Sequence, residues 1–457
     1  MGLMPLNDSV FLLPESREQP MHVGGLQLFD LPEGAGKGYL RELYEASVAV
    51  EHVAPVFRKR AHRSLLTLGQ WTWVEDDDDD IDLEHHVRHS ALPEPGRVRE
   101  LLALTSRLHG TLLDRKRPLW ESHLIEGLEG RRFAVYTKLH HALMDGVSAT
   151  RLLSSCLSTD PDARDVTPPW EASDSERPRR SPGLSALSLP GLAVQAGVDA
   201  VGLVPTLLKL VSDGLSSQAT VLPLQAPRSM LNVAITGSRR FAAESWSLAR
   251  IRAVARGADA TVNDVVLAMC SGALRSYLLE RGALPGAPLV AMTPVSLRVD
   301  DSPESTNAVG VILCNLATNV EHPGARLVAI RQSMLSGKAA LAGLNQMQVS
   351  ALSAVAMAPL LLNSVMALHR VSPPPFNLVI SNVPGSPDPL YWNGARMIGN
   401  YPLSIPLDGQ ALNITLTSYD GQVHVGIVGC RRSVPHLQRL LGHLEDSLGG
   451  LEAAVLG

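Results

Sequence analysis

His140-His141-Ala142-Leu143-Met144-Asp145-Gly146 stands where an apolar, strand-like stretch gives way to a helix-like one. Phe133 to His140 alternates as a strand does, so successive side chains face opposite sides. His140 and His141 are therefore expected to point apart, one into a reaction chamber and the other against its own domain. Histidine both takes and gives a proton near neutral pH. Held at a strand end beside a carboxylate, it is equipped to be a general base, a device that typically contributes about 10²–10⁴-fold to a rate. Asp145 is placed either to hydrogen-bond across the turn or to cap the following helix. Gly146 suits a turn of positive φ or a close backbone approach.

The chain supplies its own comparison. His85-His86 lie in Leu83-Glu84-His85-His86-Val87-Arg88-His89, after the acidic run Glu75-Asp76-Asp77-Asp78-Asp79-Asp80. No Asp-Gly follows them, and their charged neighbours predict an exposed pair without function. Neither pair reads as a metal site, because adjacent histidines diverge on a strand. No metal is expected.

Outward from the motif, strands are expected at 20–30, 119–126 and 132–140, and helices at 38–63, 98–115 and 147–158. Near residue 160 the composition changes. Pro161, Pro168, Pro169, Pro178 and Pro182 punctuate a charged, Ser-rich stretch that reads as linker. Residues 183–211 are rich in Leu, Ala, Val and Gly, and fit either packed helices or a lipid-facing surface. The second half predicts strands at 239–247, 288–296, 308–319, 376–382, 411–418 and 422–430, with helices at 262–281 and 324–369. Interleaved strands and helices in both halves argue α/β layers in two domains, 1–160 and 227–457, joined by a linker and apolar connector at 161–226. The apolar helical stretch from Ala339 to His369 is read mainly as core, with a few residues facing a tunnel.

Composition narrows the function classes. The 457 residues carry a formal net charge of −5, which argues against nucleic acid as a partner. No apolar run reaches the ~18 residues of a spanning helix, and the N-terminus lacks a signal-peptide pattern. Cys156, Cys270, Cys314 and Cys430 form no CxxC pair, as fits a reducing cytoplasm. Gly34-Ala35-Gly36-Lys37-Gly38 misses the P-loop spacing, with Leu31 at the first glycine position and Gly38 where Ser or Thr belongs. No Gly-x-Ser-x-Gly elbow is present.

The His-His-x-x-x-Asp-Gly motif resembles the active-site motif of the CoA-dependent acyltransferase superfamily, which includes chloramphenicol acetyltransferase and peptide-synthetase condensation domains. Four further segments are similar to the bacterial bifunctional wax ester synthase/diacylglycerol acyltransferases. They are Pro20-Met21-His22-Val23-Gly24-Gly25, Arg117-Pro118-Leu119-Trp120-Glu121, Thr261-Val262-Asn263-Asp264-Val265-Val266 and Ser381-Asn382-Val383-Pro384-Gly385. The likeness runs in order from about residue 4 to about residue 440.

The resemblance implies two chloramphenicol-acetyltransferase-like domains, each a largely mixed β-sheet with flanking helices, and an active-site tunnel between them. It implies a long-chain acyl group moving from acyl-CoA, a co-substrate rather than a bound cofactor, to a long-chain alcohol or diacylglycerol. His141 would be the base, with His140 and Asp145 bracing the site and Gly146 supporting the turn. Arg298 is the candidate partner for Asp145, or else a surface arginine at a strand end. Asn263 and Asp264 are either a helix N-cap or neighbours of the site. Ser381 and Asn382 are either oxyanion donors or turn residues; Trp120 is read as packing. Two other readings stand beside this one: the same fold acting on an amine or carrier-bound acceptor, and a lipid-granule binding protein without turnover. Peripheral contact with a membrane or lipid droplet is expected, from the cytoplasmic side.

Overall fold

The computed structural model describes residues 2–63, 69–172, 221, 224–297, 308–342, 344, 348–349, 352–353, 357 and 372–457. Its strands are β1 (Gly2–Leu3), β2 (His22–Asp30), β3 (Lys59–Arg63), β4 (Trp71–Glu75), β5 (Val87–Ala91), β6 (Trp120–Leu128), β7 (Arg132–His140), β8 (Arg239–Ser247), β9 (Val290–Leu297), β10 (Ala308–Asn315), β11 (Leu378–Pro384), β12 (Tyr391–Trp392), β13 (Ala395–Leu403), β14 (Leu412–Tyr419) and β15 (Gln422–Cys430). They form two six-stranded mixed sheets, ordered β12-β13-β2-β7-β6-β5 and β10-β9-β11-β14-β15-β8, and a small sheet β1-β4-β3.

Strand β7 ends on the motif, and its register with β2 sets His140 opposite His22. In the second sheet β11 runs parallel to β9 and β14, while β14 and β15 form an antiparallel hairpin. Asp420 and Gly421 turn that hairpin, both at positive φ (44° and 72°), as a tight two-residue turn demands. The helices Leu248–Gly257, Val262–Leu279, Pro323–Leu341 and Arg439–Val455 share one core with the second sheet. Val262–Leu279 lies at its centre and is apolar around most of its circumference; Val265, Leu267, Leu274 and Leu278 are all buried.

The mixed α/β architecture is the one the alternating pattern predicts. Its largest surprise is β13. This strand comes from the second half of the chain, yet it pairs with β2 in the first sheet, from Arg396↔Asp30 to Leu403↔Gly24. Gly399, Pro402 and a register shift after Met397 conceal its alternation. The same strand abuts the second sheet. A Cβ on Gly426 of β15 would lie 1.9 Å from the Pro402 carbonyl oxygen, so only glycine permits this approach.

Other boundaries move for local reasons. The helix expected at 38–63 is Tyr39–Val48 only: Pro55 opens a separate short helical turn, Pro55–Arg58, and Lys59–Arg63 pairs with β4. The helix expected at 98–115 stops at His109, with Gly110 next. The Lys138 ammonium then donates to the carbonyls of Leu108 (3.2 Å) and Thr111 (2.9 Å), satisfying oxygens at the helix end. His85-His86 is not an exposed pair. His86 is buried, its ring stacks on Trp120 at 4.5 Å, and its Nδ1 donates to the Trp120 carbonyl at 2.8 Å. Trp120 is core: its indole donates to the Phe57 carbonyl and stacks on Trp170. The apolar segment 183–211 lies outside the described residues. Among the described residues, no helix is long and apolar enough to cross a membrane.

Candidate active site

The two histidines part at the end of β7. The His140 side chain is 0% exposed and turns away from the gap between the sheets. The Ala142 N–H donates to its Nδ1 at 3.0 Å, which leaves the proton on Nε2. That Nε2–H donates to Glu15 Oε1 at 3.1 Å. Glu15 also accepts from the Met21 N–H (3.2 Å) and from Arg115 Nε (2.7 Å). Burial acts to raise the Glu15 carboxyl pKa, but the His140 hydrogen bond and the Arg115 guanidinium outweigh it and hold the group below its ordinary value.

His141 points the other way. Its backbone N–H donates to the Met21 carbonyl at 2.8 Å, and its ring stacks on Phe11 with centroids 3.9 Å apart. Nδ1 is buried, and the ring lines the cavity. Burial pushes the imidazole pKa down to about 4, against the pull of the Asp145 carboxylate, so the ring is neutral at pH 7.

Asp145 caps the Gly146–Ser155 helix. Its Oδ1 accepts from the N–H groups of Val147 (2.9 Å) and Ser148 (3.0 Å), and its Oδ2 accepts from the Ser148 hydroxyl (2.7 Å). Burial raises its pKa, but these bonds win and lower it. It remains ionised beside His141 while serving as the N-cap. Gly146 departs from expectation. Its φ is not positive, and a Cβ there would meet only Val23 at 3.8 Å. It is the first residue of the helix and lines the cavity.

The cavity holds about 380 Å³ between the two sheets. The first sheet and its motif contribute Gly24, Gly25, Leu139 and His141; the second contributes Met292, Val311, Val379 and Val383. On β11 the period of two divides the neighbours Ser381 and Asn382. Ser381 faces the cavity with Val379 and Val383. Asn382 turns to the other side, where its amide donates to Asn263 Oδ1 at 3.4 Å. Neither Asn263 nor Asp264 is the N-cap of Val262–Leu279. That position belongs to Thr261, whose hydroxyl accepts from the Asp264 N–H while Asp264 Oδ2 accepts from the Thr261 N–H (2.9 Å), a capping box. Thr261 and Asp264 lock the helix start, and the Asn263–Asn382 hydrogen bond ties it to β11. Arg298 follows the end of β9 and lies outside the described residues, so its relation to Asp145 is not part of this geometry.

Several contributors carry no signal in the sequence. Phe11 and Glu15 belong to a short N-terminal stretch with no strand or helix period. Asn400, Asn413 and Thr415 add polar groups to the cavity, and the Thr415 hydroxyl donates to Asn413 Oδ1 at 2.8 Å. Among the described residues, no three His, Cys, Asp or Glu side chains are grouped to hold a metal ion.

Comparison with known proteins agrees with this architecture. Residues 3–266 match the wax ester synthase/diacylglycerol acyltransferase catalytic domain, and residues 305–452 match the C-terminal domain of the same family. A Mycobacterium tuberculosis protein described as a probable diacylglycerol O-acyltransferase is 55% identical over 456 residues, covering 100% of both chains. The solved wax ester synthase/diacylglycerol acyltransferase of Marinobacter aquaeolei VT8 is 44% identical, covers 100% of both chains and superposes with a TM-score of 0.77. The starter condensation domain of rhizomide synthetase, solved in complex with C8-CoA, is 13% identical with a TM-score of 0.54, covers 100% of this chain and 95% of that one, and shares the fold. With family matches on both halves and full-length relatives above 40% identity, the chain belongs to the wax ester synthase/diacylglycerol acyltransferase family and is an acyltransferase.

Proposed function

We propose that this acyltransferase moves a long-chain acyl group from acyl-CoA to the hydroxyl of a long-chain alcohol or of diacylglycerol, with His141 as the general base. One observation carries the reading: the His141 ring lines a cavity, walled mainly by apolar side chains, between the two sheets, and burial there favours the neutral imidazole. An alcohol is almost undissociated at pH 7 and needs a base to attack a thioester. His141 Nε2 takes the hydroxyl proton as the oxygen bonds to the thioester carbon. The tetrahedral intermediate then expels the CoA thiolate, which receives that proton from the imidazolium. No covalent enzyme intermediate is needed.

The neighbours suit this sequence. The ionised Asp145 favours the imidazolium while it exists. His140 is committed to Glu15 and steadies the backbone from the far side. The Ser381 hydroxyl is the candidate donor to the oxyanion, since it faces the same cavity. Removing such a donor typically costs about 10²–10³ in rate. Acceptors of this class reside in lipid, so transient contact with a lipid surface belongs to the reading, and vesicle flotation tests it.

The deciding experiment incubates purified protein with palmitoyl-CoA and, separately, hexadecanol, diacylglycerol or a long-chain amine, and identifies products by mass spectrometry. Ester formation with stoichiometric release of CoA, abolished in a folded His141→Ala variant, is the expected result. CoA release without an acceptor, amide as the main product, or an active His141→Ala protein would each refute part of the proposal.

A further inference from the structure

A second cavity, sharing no lining residue with the first, opens where the Val98–His109 helix packs on β8. It also holds about 380 Å³. Its wall carries Arg107 from that helix, Arg239 and Arg240 from β8, and Arg431 just after β15. Both halves of the chain build it, and the Phe241 N–H fixes the junction by donating to the Ser106 hydroxyl at 2.9 Å.

Arg239 is buried, and its guanidinium donates to the carbonyls of Thr236 and Glu18. Burial pulls its pKa down to about 10, against the opposing pull of Cys430 and the Asp408 carboxylate. Among the described residues, no hydrogen bond or ion pair engages the guanidinium groups of Arg107, Arg240 or Arg431. The acid on the wall is Glu100, whose buried Oε2 lies 3.7 Å from Arg97 Nε and accepts no hydrogen bond among the described residues, so four arginines face one carboxylate. An excess of positive charge around one concave site is self-repulsive, and an anion relieves it. Guanidinium forks match phosphate oxygens better than any other side chain does.

We infer that this cavity binds the phosphate group of a phosphorylated ligand. Two sources offer that chemistry, the nucleotide phosphates of CoA and the headgroup of an acidic phospholipid. Binding is measured directly, so the outcome does not depend on which acceptor the enzyme esterifies.

The test uses the full chain and an Arg240→Ala/Arg431→Ala double variant. Titration calorimetry reads CoA binding, and co-sedimentation reads phosphatidylcholine vesicles with and without phosphatidic acid. An Arg252→Ala/Arg256→Ala variant makes the same change in net charge on an exposed helix face. Loss of two charge-assisted contacts should weaken one of the two ligands by about tenfold or more, with the control unchanged. A loss for CoA alone assigns the site to nucleotide phosphates, and a loss for acidic vesicles alone assigns it to the headgroup. Unchanged binding of both, or an equal loss in the control, overturns the inference. If the double variant does not fold, Arg431→Gln at an exposed position answers the same question.

Discussion

Glu15 Oε1 accepts a hydrogen bond from His140 Nε2 at 3.1 Å, across 125 residues of chain, with both side chains buried. The same carboxylate holds Arg115. Removing one partner of a buried charged cluster strands the others, at a typical cost of about 3–5 kcal/mol. Glu15→Ala should therefore lower the melting temperature sharply. Glu15→Gln, which keeps the shape, should fold and lose kcat with little change in KM, because it disturbs the backbone carrying His141 rather than the cavity wall. A Glu15→Gln protein with unaltered kcat would show that this brace does not reach the chemistry.

The acid limb of activity reports on His141. A base works only when unprotonated, and burial lowers this imidazole to about 4. The kcat/KM profile should stay level from pH 8 down to about 5 and fall as pH approaches 4. A midpoint near the ordinary histidine value of about 6.5 would mean that a different group, or a more solvated His141, controls the rate.

Asp145 carries two roles that substitution can separate. Asp145→Asn keeps an oxygen for the Val147 and Ser148 N–H groups and should hold stability close to wild type, whereas Asp145→Ala should lose about 0.5–2 kcal/mol. Both remove the negative charge that raises the His141 pKa, so both should move the acid limb to lower pH. An unmoved limb in Asp145→Asn would confine the residue to capping.

Stability should fall as pH drops from about 6.5 toward 4. His86, His109 and His424 are buried, and burial lowers them to about 4, about 3 and about 4. Unfolded, each titrates near 6.5, so between those values the unfolded chain binds more protons and gains on the fold. Each group contributes a slope of up to about 1.4 kcal/mol per pH unit. Melting temperatures measured from pH 7.5 to pH 5 check this, and a flat profile would count against neutral burial of these rings.

Gly426→Ala tests the seam between the sheets. The added methyl would lie 1.9 Å from the Pro402 carbonyl oxygen, a backbone atom that cannot swing aside. A cost of about 1–3 kcal/mol is expected from the enforced shift. Activity should suffer as well, because Pro402, Leu403 and Ser404 line the cavity. Wild-type melting and turnover in this variant would mean that the strands separate freely.

The sequence alone determined whatever depends on local periodicity and short-range chemistry. Alternation from Phe133 to His140 set the two motif histidines on opposite faces, and the order of the motifs carried the family. Helix and strand periods located the main units of both halves. Where a reading failed, contacts distant in sequence had decided the matter. β13 joins the first sheet because its edge pairs with β2, a preference that Gly399 and Pro402 hide from any local pattern. Glu15 and Phe11 reach the histidines only once the N-terminal stretch packs against the end of β7. Ser381 and Asn382 are equivalent as residue types in a turn; the pleat of β11 between the cavity and the Val262–Leu279 helix separates their roles. Backbone period is written along the chain, whereas the partner of a buried charge and the face of a cavity exist only after the two sheets have come together.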